Sequence, residues 1–437
     1  MRVKVFLALA AALLLAVAAL RPPEYDEAYS LFLVAGHARP VWPQGVFTAG
    51  SVRALYAGGA SFGQIAHDLR VGDVHPPLYF WALELWRQVA GTSWLAARGL
   101  SVVFAVGALA LLARLAAQEG VPVLPALAMT LLAYGFAYTG SVARGFALAQ
   151  MLLLAGLVLR RDRPLLAGAT LGAACFTNDL ALFTALAALL LTRHRGRAAG
   201  AMLPFLVGSA WFFLAQRSSR AGQFAQWGTG HALALLGKDI GAAWFGGLPL
   251  YAGAAGPLVA LALGALALAA LACVLRRRHD SAPRLVLLAA ATPVGLMALG
   301  LVFHNTPIEI RYLAFSLPYV ALLLAPALSR PLLGLMLAVQ AAGIAGLMLA
   351  PATMQPQGLA ARAAPVGVLV LVPFGNDGVG IPGPFIAAAP DNLRLFLLRP
   401  GAVPPPGLYA PLAIDNASKT LFATSGCAPA LLTRCRP

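Results

Sequence analysis

The sequence predicts a polytopic α-helical membrane protein of about eleven transmembrane helices, with external juxtamembrane helices and a small α/β extracytoplasmic domain at the C-terminus. Three observations carry this. The chain is 60% hydrophobic and only 11% charged, against about 25% charged in ordinary soluble domains, and its mean hydropathy is +0.80. Apolar runs of about 17 to 25 residues, each long enough to cross a bilayer, recur along the chain. Clusters of arginine punctuate those runs as the short cytoplasmic loops of a multi-span protein do.

The first apolar run, 3–20, follows Arg2 and Lys4. Its length and basic start fit either a signal peptide or an anchor. The many later spans favour an uncleaved anchor, and both readings put residue 21 outside the cytoplasm. Further runs cover 94–117, 122–140, 145–160, 164–193, 198–215, 255–275, 283–303, 311–328 and 331–350. Three basic clusters, at 160–163, 193–197 and 276–279, are expected to be cytoplasmic. The run 164–193 has such a cluster at each end, and a single span would leave one outside. The polar interruption Thr177-Asn178-Asp179 resolves this: two short helices, 164–177 and 180–193, meet at the outer face. Short broken helices are tolerated where they are buried in protein or line a cavity.

The segment 75–89 is apolar but short, begins with Pro76-Pro77 and carries Glu84 and Arg87. Counting it as a span would invert every later loop. It is therefore expected to lie at the outer interface, with Trp81 and Trp86 in the aromatic belt. The resulting organisation is a transmembrane domain, 1–350, whose long first external loop is 21–93. A second external region follows at 216–254, and an external C-terminal domain at 351–437. In the latter, 366–373 reads as a buried strand. Cys175 and Cys273 fall in apolar runs as inert core residues, whereas Cys427 and Cys435, with seven residues between them, would suit a disulfide in an oxidising compartment. The net charge of +16 is read as topology signal and contact with lipid headgroups, not as nucleic-acid binding.

Carboxylates are scarce: 15 Asp and Glu in 437 residues, with Glu24, Asp26 and Glu27 crowded at the first membrane exit. Acids at a bilayer edge are costly unless they meet water, a partner or a substrate. Asp26 is the candidate general base, and the bland alternative is an N-cap for a helix starting near Glu27. Glu27 is a helper or metal ligand. Asp73 is a second base, a metal ligand or a turn residue before the proline pair. Asp68, Lys238, Asp239 and His304 rank lower, as solvated loop residues.

Tyr25-Asp26-Glu27-Ala28-Tyr29-Ser30 after the first span resembles the acidic signature of C-type integral-membrane glycosyltransferases. Asp73-Val74-His75-Pro76-Pro77-Leu78-Tyr79-Phe80 with Trp86, Ala143-Arg144-Gly145-Phe146-Ala147-Leu148-Ala149, and Arg311-Tyr312-Leu313 ahead of Pro318 resemble the family 39 branch. Protein O-mannosyltransferases and the lipid A aminoarabinose transferase belong to that branch. The likeness spans about 1–350 and is weak beyond. It implies a polyprenyl-phosphate-linked sugar donor, inverting transfer to a lipid, glycan or protein acceptor, and an active site facing the periplasm of a bacterial inner membrane. The growing negative charge of such a phosphate needs fixed cations or donors, and His75, Arg144, Arg311 and Tyr312 are the candidates; the bland alternatives are a helix start for His75, interfacial snorkelling for the two arginines and a belt aromatic for Tyr312. The aminoarabinose branch carries Lys where His75 stands. Asn178 and Asp179 depart from the His-Tyr pair frequent at the equivalent interruption. A divalent metal ion is compatible with the paired carboxylates but not required by them. Two readings from other classes remain at this stage: a polyprenyl-lipid flippase or transporter, and a non-catalytic polysaccharide assembly factor. A transporter would place polar groups at mid-membrane on repeated halves, and no internal repeat is evident.

Overall fold

The computed structural model describes the chain except residues 74, 221–223, 278, 350–355, 363, 365–366, 376–377, 379, 406–408, 416–419 and 424–437. Cys427, Cys435 and the Asn416-Ala417-Ser418 sequon lie outside the described residues. The chain divides into two compact units.

The first unit comprises Met1–Ala18, Leu69–Tyr79 and Gly99–Leu347. Among the described residues of the chain, six helices are long and apolar enough to cross a membrane: Arg2–Leu20, Trp94–Gln118, Arg195–Ala215, Gly253–Arg276, Ala282–Phe303 and Arg330–Leu349. The pair Val123–Leu132 and Tyr134–Gly140, bent by 71°, makes a seventh if taken as one broken span. Four shorter apolar helices, Phe146–Leu159, Pro164–Cys175, Ala181–Leu190 and Tyr312–Leu324, occupy the remaining predicted runs. The protein is thus a multi-pass membrane protein in which six or seven helices reach spanning length. Only 11% of the apolar window of Gly253–Arg276 is buried in protein. Leu258, Leu261, Leu268 and Leu275 face outward on it, a surface stable in lipid and not in water.

The run 164–193 does break into two helices, Pro164–Cys175 and Ala181–Leu190. The break is chemically fixed: Asn178 Oδ1 accepts from the Leu180 amide at 3.0 Å, an Asx turn that competes with helix. The two ends of the run return to one side, because the Arg193 amide donates to the Arg160 carbonyl at 3.1 Å. On that same side Glu119 is nearly inaccessible. It accepts from Arg160, Arg161 (3.4 Å) and Arg284 (2.8 Å), and the Ser281 hydroxyl donates to its carbonyl at 3.0 Å. Burial opposes its charge, yet these partners hold its carboxyl below the usual range. The basic clusters at 160–163 and 193–197 are therefore tied together, and Glu119 joins the first of them to the start of Ala282–Phe303. Pro164–Cys175 lies tightly on Arg195–Arg220: a methyl at Gly168 would meet the Ala198 carbonyl oxygen at 2.0 Å, so only glycine permits this approach.

The second unit comprises Ala19–Asp68, Phe80–Arg98 and Met348–Pro437. Its strands are β1 (Val46–Thr48), β2 (Leu369–Pro373), β3 (Arg394–Leu398), β4 (Tyr409–Asp415) and β5 (Thr420–Ala423), in the order β1-β3-β2-β4-β5. β3, β2 and β4 run parallel, and β1 and β5 are antiparallel at the edges. Every β2 residue is buried, as expected for the centre of a parallel sheet. β1 comes from the first loop, so the tail's strands pair with loop residues. Arg53 extends the link, donating through Nε to Asp391 Oδ1 (2.6 Å) and through Nη1 to the Ile386 carbonyl (2.9 Å). The helix Leu78–Ala90 has 13 residues, too few to span. Glu84 and Arg87 pair within it at 3.1 Å, and the Trp86 indole donates to the Ala96 carbonyl at 2.7 Å.

Candidate active site

The predicted site residues fall into two groups, one in each unit. In the second unit the helix Tyr25–Val34 begins two residues earlier than expected, with Glu24 as its N-cap. The alternative reading of Asp26 as the cap is therefore set aside: Asp26 sits in the first turn. There the helix dipole favours its negative charge. It is 7% exposed. Glu24 takes the capping role because Glu27, three residues on, returns the bond: the Glu24 amide donates to Glu27 Oε2 at 2.8 Å.

Glu27 is wholly buried and gripped by a fork. Arg98 Nε donates to Oε1 at 2.8 Å and Nη2 to Oε2 at 2.6 Å. The same guanidinium donates to the Arg21 and Pro22 carbonyls at 2.9 and 3.0 Å. Arg21, itself buried, lies 3.3 Å from Glu24 and 3.7 Å from Glu27. The exit turn is thereby fixed by charge-assisted bonds from two directions, which a planar guanidinium makes well. Arg98 was not foreseen. Its signal was a charge in the first turn of an otherwise apolar helix, which in a membrane requires a partner.

In the first unit three predicted residues meet. His75 Nδ1 lies 2.9 Å from Asp73 Oδ1, Arg144 Nη1 lies 3.5 Å from Asp73 Oδ2, and Arg144 Nη2 lies 3.4 Å from His75 Nδ1. A carboxylate only accepts, so the shorter contact puts the proton on Nδ1 and directs Nε2 elsewhere. The turn carrying Arg144 is held close to its neighbours: a Cβ on Gly145 would stand 3.1 Å from the Thr177 carbonyl oxygen and 3.3 Å from Tyr79 Cβ. The polar interruption predicted at 177–179 thus abuts the Arg144 turn. Phe146, one residue further, faces Tyr312 and Phe315 at ring separations of 6.4 and 6.2 Å. Arg311 lies 5.4 Å from the Tyr312 ring, and its Nε donates to Glu309. His75 and Arg144 thus meet over Asp73, and Phe146, two residues after Arg144, brings that turn to the segment carrying Arg311 and Tyr312.

Two readings change with the structure. Asp239 is no solvated loop residue: it lies in the helix Thr229–Phe245 and is buried. Asp68 is likewise nearly buried. Among the described residues, no three His, Cys, Asp or Glu side chains come together as a metal site would need.

No protein-family model matches the chain, and no curated protein matches it. Solved structures do. ArnT from Cupriavidus metallidurans in the apo state aligns over 90% of this chain and 85% of its own, with a TM-score of 0.51 at 14% identity. The chain has the fold of ArnT. The resemblance to the C-type glycosyltransferases, drawn first from scattered motifs, thus holds at the level of architecture. A second ArnT structure, bound to undecaprenyl phosphate, aligns with a TM-score of 0.47 at 14% identity, covering 94% of this chain and 93% of its own. The mycobacterial arabinofuranosyltransferase AftD gives 0.43 at 16% identity, covering 90% of this chain and 32% of its own.

Proposed function

We propose that the protein is an inverting membrane glycosyltransferase that takes a sugar from a polyprenyl-phosphate carrier and passes it to an envelope acceptor at the outer face of the inner membrane. The observation that carries this is the convergence of His75, Arg144, Arg311 and Tyr312 in one unit of an ArnT-like fold. The leaving group is a lipid phosphate whose negative charge grows as the glycosidic bond breaks, and fixed cations and donors lower that barrier most. Arg144 and Arg311 supply permanent charge, and His75, once protonated on both nitrogens beside Asp73, supplies a cation that donates through Nε2. Asp73 orients both His75 and Arg144 rather than acting as a second base.

Asp26 is the base. The acceptor hydroxyl or amine loses its proton to this carboxylate as its oxygen or nitrogen bonds to the anomeric carbon. The carbon–oxygen bond to phosphate breaks on the opposite side, and the polyprenyl phosphate departs. One displacement inverts the anomeric centre, as in single-step glycoside hydrolysis. Glu27, engaged by Arg98, holds the turn that presents Asp26. The crowding of acids at one exit, without repeated halves, favours this reading over a flippase or transporter. The eleven crossings, the inner-membrane location and the division into 1–350 and 351–437 belong to this proposal too.

Two experiments test it. Arg144→Ala is expected to weaken binding of undecaprenyl phosphate to the purified protein by about tenfold or more, with Arg144→Lys recovering part of the loss; unchanged affinity would count against the phosphate assignment. Single cysteines at positions 195 and 73 are expected to react from the cytoplasmic and external sides respectively, and the reverse pattern would overturn the orientation.

A further inference from the structure

Glu119 directly follows the helix Trp94–Gln118, and three guanidiniums converge on its carboxylate: Arg160, Arg161 at 3.4 Å and Arg284 at 2.8 Å. Three positive charges against one negative leave the cluster a net charge of +2. The surplus lies on its open side. Glu119 and Arg160 are buried, whereas the side chains of Arg161 and Arg284 are 53% and 41% exposed. Each guanidinium has five N–H donors, and a carboxylate accepts about four. The cluster therefore holds many more donors than Glu119 can occupy, and among the described residues Arg284 Nε has no acceptor at all. Arg284 also stands in the first turn of Ala282–Phe303, where the helix dipole adds positive potential. Glu119, Arg160 and Arg284 line a small cavity whose remaining walls are leucines, among them Leu115, Leu157, Leu285 and Leu288. Those leucines are mostly buried, but Leu190, Val286 and Leu287, next to them along the helices, are exposed. In a membrane chain such apolar side chains meet hydrocarbon, so the open guanidiniums stand where that surface ends, at the level of the headgroups.

We propose that this cluster is a binding site for an anionic phospholipid, with Arg161 and Arg284 donating to the phosphate oxygens and the acyl chains lying along Leu190 and Leu287. Glu119 fixes the two arginines without neutralising them, so the site is built before the lipid arrives. A phosphodiester brings a negative charge to a cluster two positive charges in excess. A zwitterionic choline lipid would bring a cation with it, which is why the lipid is an anionic one. The proposed orientation enters only in naming the leaflet. The cytoplasmic leaflet carries the anionic lipid, and basic pockets between spans take such headgroups. The sugar chemistry does not enter, and the site stands or falls apart from it. A lipid bound here joins the segment after Leu159 to the start of Ala282–Phe303 from outside, as Glu119 does from within. It should therefore stabilise the folded chain in proportion to its occupancy.

The test is the thermal midpoint of the full chain in an uncharged detergent, titrated with phosphatidylglycerol, phosphatidylcholine or inorganic phosphate. Phosphatidylglycerol is expected to raise the midpoint along a saturating curve, and the other two to leave it in place. An equal shift with phosphatidylcholine would overturn the anionic requirement, and an equal shift with inorganic phosphate would make the ligand a free anion and overturn the lipid. The double variant Arg161→Gln with Arg284→Gln keeps the buried contact of Arg160 with Glu119. It should need about 25 times more phosphatidylglycerol for half the shift, roughly fivefold for each arginine removed. Arg195→Gln with Arg197→Gln removes the same charge from the exposed start of the helix Arg195–Arg220 and should leave the titration unchanged. Equal weakening by both pairs would mean a diffuse attraction of lipid to a basic face, and would overturn the site. If the first pair is recovered unfolded, Arg161→Gln alone carries the test, since its contact with Glu119 is the longest of the three. A weakening of about fivefold is then expected, and an unchanged titration would overturn the proposal.

Discussion

Asp26→Asn is expected to leave the protein folded and inserted and to reduce sugar transfer by about 10²–10⁴-fold, the usual contribution of a positioned general base. Asn fills the same volume and keeps an acceptor oxygen, but cannot take the acceptor's proton. The first turn of Tyr25–Val34 does not depend on Asp26 for its cap, since Glu24 and Glu27 supply it. Loss of stability would therefore not confound the result. The decisive measurement is transfer by membranes supplied with a polyprenyl-phosphate sugar, beside the amount of inserted protein. Near-native transfer by the variant would end the assignment of Asp26 as the base.

Arg98→Met should have the largest effect on stability, costing about 3–5 kcal/mol, because it takes the forked partner from the wholly buried Glu27 carboxylate and leaves it only the more distant Arg21 and the Glu24 amide. The double variant Arg98→Met with Glu27→Leu should recover much of that loss, since removing both partners of a buried pair is far less costly than removing one. Thermal unfolding in detergent reports both. Activity gives a second reading. If the double variant regains stability and transfers sugar, Glu27 serves to hold the exit turn. If it regains stability but is inactive, Glu27 takes part in the chemistry.

Much of the membrane part was legible because hydropathy and arginine placement obey simple physics. The clearest case is the run 164–193. Two basic ends could not share a side across one span, and the Arg193–Arg160 backbone bond agrees with the hairpin this required. The cap weighed for Asp26 lies two residues earlier, at Glu24, because Asp is the commoner cap by type and only the reciprocal reach of Glu27 selects Glu24. Of the predicted phosphate contacts, His75 and Arg144 were recognisable singly, but their meeting over Asp73 depends on tertiary packing around Gly145 that no local pattern encodes. Arg98, Glu309 and the burial of Asp239 were missed for a common reason. Each looked like an ordinary charge near a helix end until its partner, distant in sequence or hidden by a turn, was in place.

The pairing of β1 with β3 has a consequence for how the chain is made. Val46–Thr48 finds its partner in Arg394–Leu398, and Arg53 finds Asp391, 338 residues later. At about 5–20 residues per second, translation leaves this edge waiting roughly 20–70 s for the last part of the polypeptide. Throughout that interval a short strand with open hydrogen-bonding groups is present while helix after helix is still being inserted. Premature termination anywhere before Arg394 would leave it without a mate. Quality control of this protein can thus read synthesis as far as β3 from a segment made about 350 residues earlier.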